Sequence, residues 1–324
     1  WVAATKCDEV WFSGAGTSAY IGDIVVSGLE GKRDLRLRSV PSTDLVSRPE
    51  AYLKDRSPLV VNFGRSGNSA ESIAVLDALD ALAPNAPQLN ITCNPSGVLA
   101  TRARGSNQRA VILPETTHDA GFAMTSSFTT MLMTALAIFQ DADNGADCIR
   151  RAADQASVFL PGLADAALGL PVPSRAVYAG AGPLAFMARE GALKVLELTA
   201  GSVPAVWDST LGFRHGPKSF VRDGTAIHVF LSSQAHASAY DNDLIDELRA
   251  QFPQDSVTSI GPGGDLDIAA PDGDTWLAAL AVLVPQIQSV VWSDKLGLAV
   301  DDPFAGLGTL TRVVADVKLY PVTA

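Results

Sequence analysis

Short apolar runs alternate along this chain with longer stretches whose apolar residues recur every three or four positions. Residues 10–13 (Val-Trp-Phe-Ser), 59–63 (Leu-Val-Val-Asn-Phe) and 88–93 (Gln-Leu-Asn-Ile-Thr-Cys) are compact and end in turn-forming residues, which predicts β-strands. Between them Ile73, Leu76, Leu79 and Leu82 recur at helical spacing and predict a helix over 69–82. Strands alternating with helices predict parallel sheets of βαβ units, with helices on both faces. The most apolar stretch, 124–139, is interrupted by Ser and Thr and is shorter than the ~20 residues that a membrane span needs, so a buried helix is expected there.

The pattern occurs twice. Val-Trp-Phe-Ser-Gly-Ala-Gly at 10–16 matches Ala-Val-Tyr-Ala-Gly-Ala-Gly at 176–182. The strand 59–63 with Gly64-Arg65-Ser66-Gly67 matches 226–230 with Leu231-Ser232-Ser233-Gln234, and 88–93 matches 256–260. The fold class that follows is α/β, with two tandem doubly wound parallel-sheet lobes, each an α-β-α sandwich. The Pro- and Gly-containing segment 161–174 is the expected linker, which gives a first lobe over 1–164 and a second over 165–324.

Composition narrows the function. The 324 residues include 24 Lys and Arg against 35 Asp and Glu, a net charge of −11 without any basic run, and aromatics make up 7%. General binding to nucleic acid or to an anionic membrane, which needs a basic surface, is not expected, so any phosphate site must be local. Cys7, Cys93 and Cys148 are odd in number and far apart, which fits a reducing, cytoplasmic setting better than a disulfide framework. The four histidines have no ligand-like spacing, so no metal site is expected. The chain opens on Trp1 and shows no basic leader region.

In a doubly wound sheet, ligands bind beyond the carboxyl ends of the strands. The loops there, Gly14-Ala15-Gly16-Thr17-Ser18 and Gly64-Arg65-Ser66-Gly67-Asn68-Ser69, combine small residues with hydroxyls at helix N-termini, a favourable setting for phosphate. Ordinary capping uses the same residues, but two such loops at adjacent strand ends favour an anion. In the second lobe Pro183-Leu184 replaces Thr17-Ser18, so the phosphate is expected on the first. No GxGxxG and no Lys after a glycine turn is present, which disfavours dinucleotides and ATP.

Glu190, Lys194 and Glu197 share one helix face, either as a solvated salt-bridged stripe or as a buried site for proton transfer. His215, in a Gly- and Pro-punctuated loop over 208–218, is either a plain loop residue or a proton shuttle. His228 lies in a strand pattern and is expected to be a hydrogen-bonded core residue.

These residues together, the paired strand-Gly repeats, Phe63-Gly-Arg-Ser-Gly-Asn-Ser69, Glu190-Gly-Ala-Leu-Lys-Val-Leu-Glu197 and Arg214-His-Gly-Pro217, resemble the sugar isomerase (SIS) family over essentially the whole chain. The longer string from Leu198 through Trp207 to Ser219 resembles its galactosamine-6-phosphate deaminase branch, also labelled tagatose-6-phosphate ketose/aldose isomerase. The resemblance implies that Ser18, Arg65, Ser66 and Ser69 hold a sugar phosphate with Thr17 beside them, although Gly64 stands where relatives commonly carry Ser. It further implies Glu197 as the base between C1 and C2, His215 as the ring opener, and Glu190 and Lys194 as orienting groups. Arg312 is nearest to the tail lysine of the related glucosamine-6-phosphate synthase, within 308–313, and implies a polar role without an imine. No cofactor is implied.

The expected activity is conversion of galactosamine 6-phosphate to tagatose 6-phosphate and ammonia. The alternatives are a plain phosphosugar isomerase, a glucosamine-6-phosphate deaminase and a non-catalytic sugar-phosphate sensor. The expected partner is a phosphorylated amino sugar, and the resemblance implies a homodimer with sites near the subunit interface.

Overall fold

Two five-stranded parallel sheets, each flanked by helices, carry the repeat. The computed structural model describes residues 1–31, 35–140, 143–253, 255–307, 310–312, 314 and 317–322. The first sheet comprises β1 (Glu9–Ser13), β2 (Arg36–Ser39), β3 (Leu59–Gly64), β4 (Gln88–Thr92) and β5 (Gln108–Ile112), in the order β2-β1-β3-β4-β5. Around it run α1 (Thr17–Leu29), α2 (Ser42–Ser47), α3 (Pro49–Leu53), α4 (Ala70–Leu82), α5 (Val98–Thr101) and α6 (Ser126–Phe139). The helix α7 (Gly145–Gly169) precedes the second sheet of β6 (Arg175–Gly180), β7 (Ala205–Ser209), β8 (Thr225–Phe230), β9 (Ser256–Gly261) and β10 (Leu266–Asp267). Its order, β7-β6-β8-β9-β10, is that of the first sheet with each strand replaced by its counterpart. Its further helices are α8 (Pro183–Leu198), α9 (Ala235–Gln251), α10 (Asp274–Ala281) and α11 (Leu283–Lys295).

The repeat extends to backbone angles. Gly16 and Gly182, which open α1 and α8, have φ/ψ of 54°/−128° and 55°/−127°, a conformation that glycine adopts without a Cβ penalty. The first core gathers Trp11, Val60, Val75 and Leu79, and the second Val177, Ile227, Leu244 and Leu248, all buried. Burying each such side chain contributes roughly 1.5–3 kcal/mol. The helix α4 starts where the hydroxyl of Ser69 accepts from the backbone N–H of Ser72, with Glu71 in its first turn.

Two expectations change. The segment 161–174 is not a linker along its length, because α7 runs continuously to Gly169 with Pro161 inside it. Pro161 lies on the exposed side of the helix, while Leu163 and Ala167 are buried. The helix therefore crosses residue 165. The residues pack as two units, one of Trp1–Ala120, Met124–Ile138 and Thr311–Ala324, the other of Gly121–Ala123 and Phe139–Leu310. The C-terminal tail thus belongs with the first sheet.

Much of 124–139 forms α6, whose Phe128, Met131, Leu132, Ala135, Leu136 and Phe139 are buried as expected, and the helical stretch Asp274–Lys295 is long and apolar enough to cross a membrane. It is 83% buried within the fold and packs on α8, as a core helix pair does.

Candidate active site

In the first unit, the loops after β1 and β3 converge at the carboxyl edge of the sheet. Thr17 and Ser18 form the first turn of α1 and are buried, with Ser18 Oγ 3.9 Å from Met124 Sδ. Arg65 is also buried, and Ser66 and Ser69 are half-buried. The turn between them is held from every side. Asn94 Nδ2 donates to the Ser66 carbonyl at 2.8 Å, Thr92 Oγ1 donates to the Arg65 carbonyl at 3.3 Å, and the N–H of Val98 donates to Asn68 Oδ1 at 2.9 Å. Gly67 takes φ 63°, and a Cβ there would stand 3.0 Å from Thr92 Oγ1, so the turn needs glycine on both counts. The result is a preorganised set of hydroxyls and one guanidinium at two helix N-termini.

The tail lies against this set. Arg65 Nη2 donates to the carbonyl of Arg312 at 3.0 Å, and the N–H of Ala70, in the first turn of α4, donates to the carbonyl of Val314 at 3.2 Å. The guanidinium of Arg312 donates to the carbonyl of Asp119. Residues 308, 309 and 313 of the implied tail stretch lie outside the described residues. Asp119 accepts from the N–H groups of Thr125, Ser126 and Ser127 and so caps α6. Burial alone would raise its pKa, but the hydrogen bonds from Ser127 and Thr125 outweigh it and hold the carboxyl below its usual range. Beside it, burial and the charges of Arg312 and Arg65 hold His118 below the ordinary histidine value.

The counterpart loop in the second unit carries its own carboxylate. Ser233 N–H and Oγ donate to Asp274 Oδ1 at 2.7 and 2.6 Å, and Ser232 Oγ donates to Asp274 Oδ2 at 2.5 Å. Asp274 thus takes both hydroxyls and one backbone N–H of this turn.

The stripe on α8 is buried rather than solvated. Glu190 and Lys194 are fully buried, Lys194 Nζ stands 3.4 Å from Glu190 Oε1 and donates to Glu197 Oε2, and the Glu197 side chain is 24% exposed. Burial alone would lower the lysine pKa, but the two carboxylates outweigh it and raise it, so Lys194 stays charged. Gly191 lets α8 lie close to α11, since a Cβ there would meet Pro285 at 2.9 Å.

The loop over 208–218 is more regular than its punctuation predicts. Asp208 and Ser209 end β7, and two 3-10 turns, Gly212–His215 and Pro217–Phe220, follow, with His215 exposed. Phe213 is buried in the core cluster that includes Leu244 and Leu248 of α9. Arg214 Nε donates to Glu247 Oε2 at 2.7 Å, and Lys218 Nζ donates to Glu247 Oε1.

The helix α8 opens at the carboxyl edge of the sheet, but Glu197 is on its last turn, near the edge where β7 begins. His215 follows the other end of β7, where Thr210 N–H bonds the Gly180 carbonyl at 2.9 Å. Six residues of β6 at about 3.3 Å each put the two edges about 20 Å apart. The structure therefore brings together Glu190, Lys194 and Glu197, and separately Thr17, Ser18, Arg65, Ser66 and Ser69 with the backbone of Arg312. It does not bring His215 to Glu197 within one chain.

Sequence reasoning misses Glu247, Asp274 and Asp119, whose partners lie far away in sequence or across a turn and are revealed only by the fold. Among the described residues no group of three or more His, Cys, Asp or Glu is placed to hold a metal ion.

Comparison with known proteins agrees with this architecture. The SIS domain model matches residues 5–140, and relatives of that family align through nearly the whole sequence, so the chain belongs to the SIS family. Within the family it is 41% identical to D-galactosamine-6-phosphate deaminase AgaS of Escherichia coli over 328 residues, which cover 97% of this chain and 85% of that protein. The corresponding protein of Shewanella sp. (strain ANA-3) is 40% identical, with 97% and 82% covered. The crystal structure of tagatose-6-phosphate ketose/aldose isomerase from Escherichia coli matches with a TM-score of 0.89 at 36% identity, covering 100% of this chain and 88% of that one.

Proposed function

We propose that this protein converts galactosamine 6-phosphate and water to tagatose 6-phosphate and ammonia. The observation that carries the reading is the α8 cluster, in which two fully buried charges, Glu190 and Lys194, support one partly exposed carboxylate, Glu197. A protein that only bound sugar phosphate would have no need of a supported base. The likeness to D-galactosamine-6-phosphate deaminases supplies the substrate.

Ser18, Arg65, Ser66 and Ser69, with Thr17 beside them, hold the phosphate remote from the reacting carbons, which orients C1 and C2 and lends binding energy to the chemical step. His215 returns a proton to the ring oxygen as the pyranose opens. Glu197 removes the proton from C2 and delivers it to C1, the C1 oxygen takes up a proton to become a hydroxyl, and C2 becomes an iminium carbon. Water adds to C2 and ammonia leaves. Glu190 and Lys194, fully buried, orient Glu197 rather than the sugar that the resemblance implies, and Arg312 contributes a polar contact from the tail.

A homodimer with composite sites belongs to the proposal, because Glu197 and His215 sit at opposite edges of one sheet and serve one substrate only if a second copy supplies one of them. A cytoplasmic location also belongs to it, in keeping with the absence of a disulfide among Cys7, Cys93 and Cys148.

The test incubates the protein separately with galactosamine 6-phosphate and glucosamine 6-phosphate and follows ammonia and ketose phosphate together. Both products from the galacto sugar alone are expected. Ketose without ammonia from a nitrogen-free sugar phosphate would leave a plain isomerase. Thermal stabilisation by the sugar phosphate without turnover would leave a sensor.

A further inference from the structure

We infer that Glu247 is a positioning residue for His215, acting through the two cations that flank the histidine. The inference rests on the reading above, in which His215 opens the sugar ring. His215 is exposed on a short 3-10 turn, and a loop of this kind does not by itself hold an imidazole at a fixed place. The helix α9 supplies what the loop lacks, at three points. Upstream of the histidine, Thr210 Oγ1 donates to Asp241 Oδ1, and beneath it Phe213 packs in the cluster containing Leu244 and Leu248. On either side of it, Arg214 and Lys218 each take one oxygen of the Glu247 carboxylate.

One carboxylate thus spans the turn and fixes the backbone immediately before His215 and the turn that follows it. Gly216, between them, has φ 132°, a conformation open to glycine because it has no Cβ, and the ties on either side of it hold the stretch in this form. Both ion pairs are roughly one-quarter exposed, so a purely stabilising role would be modest, and the value of the strap is geometric. Misplacing a proton donor by an ångström costs far more in rate than in stability.

The experiment measures kcat and KM for galactosamine 6-phosphate in Glu247→Gln, His215→Asn and the double variant, together with the melting temperature of each. The expected result for Glu247→Gln is a kcat lower by about ten-fold with KM within about two-fold and near-native melting. The double variant is expected to be no slower than His215→Asn alone, since a residue that acts through the histidine has nothing left to lose without it. Lys218→Gln, which removes one of the two ties, serves if Glu247→Gln does not fold. It is expected to lower kcat by about three-fold with the same non-additivity. Wild-type kcat in Glu247→Gln, or a further multiplicative loss in the double variant, overturns the inference while leaving the reaction intact. Full turnover by His215→Asn overturns the ring-opening assignment itself, and the inference with it.

Discussion

Glu197 and His215 stand a strand length apart in the second unit, the carboxylate beside the start of β7 and the imidazole beyond its end. If each substrate draws one from each of two copies, two impaired variants complement each other. Glu197→Gln homodimers are expected to be inactive and His215→Asn homodimers to keep only a small, measurable residual turnover. Mixing them after dissociation is expected to restore about a quarter of wild-type turnover, since half of random dimers are mixed and each rebuilds one of its two sites. An assay of the mixture that stays flat would show that composite sites do not form.

Lys194 is a fully buried cation between two carboxylates, and its loss leaves their charge uncompensated. Lys194→Met is expected to destabilise the fold by about 3–5 kcal/mol in urea unfolding, and adding Glu190→Gln is expected to recover part of that. Because the folded pKa is raised above the ordinary value of 10.5, the stability that Lys194 contributes is complete below that value and is lost as pH rises through the folded pKa. Lys194→Met should lack this alkaline limb.

His228 is a hydrogen-bonded core residue, as its strand pattern predicts. Its Nε2 lies 2.9 Å from Gln288 Nε2, whose carbonyl oxygen accepts from Tyr178, and the Tyr178 ring stacks on the imidazole at 4.8 Å. Burial pushes its pKa from 6.5 down to about 4. A base with a depressed pKa contributes stability that is present above 6.5 and is lost as pH falls toward 4, roughly 3 kcal/mol in all. His228→Gln is expected to remove that acid limb when unfolding free energies at pH 7.5 and 4.5 are compared.

Gly64 stands where a side chain would not fit. A Cβ there would stand 2.8 Å from Cδ1 of the buried Leu99. Gly64→Ser is expected to cost about 1–3 kcal/mol by overpacking, and a Leu99→Val background is expected to soften the cost. Equal melting temperatures for Gly64→Ser and wild type would rule out this packing explanation.

The fold was legible because its strands are short apolar runs closed by glycine turns, and Gly16 and Gly182 repeat even in their backbone angles. Ser69 announced α4 through its capping hydroxyl. What escaped was set by partners distant in sequence. Pro161 reads as punctuation, yet α7 runs on past it to Gly169. Helical spacing put Glu190, Lys194 and Glu197 on one face, but which edge of the sheet Glu197 reaches is set by the length of α8. Glu247 and Asp274 have no local signature, since only the packing of α9 and α10 gives them their partners.

Asp274 makes the two copies of the loop respond differently to solution conditions. A tethered carboxylate is present at fixed effective concentration, so the turn after β8 is saturated whatever the supply of phosphorylated sugar. On the proposed function the turn after β3 takes the sugar phosphate, so its order is expected to follow occupancy by mass action, and amide exchange at Ser233 supplies an internal standard against which phosphate-dependent protection at Ser66 can be read.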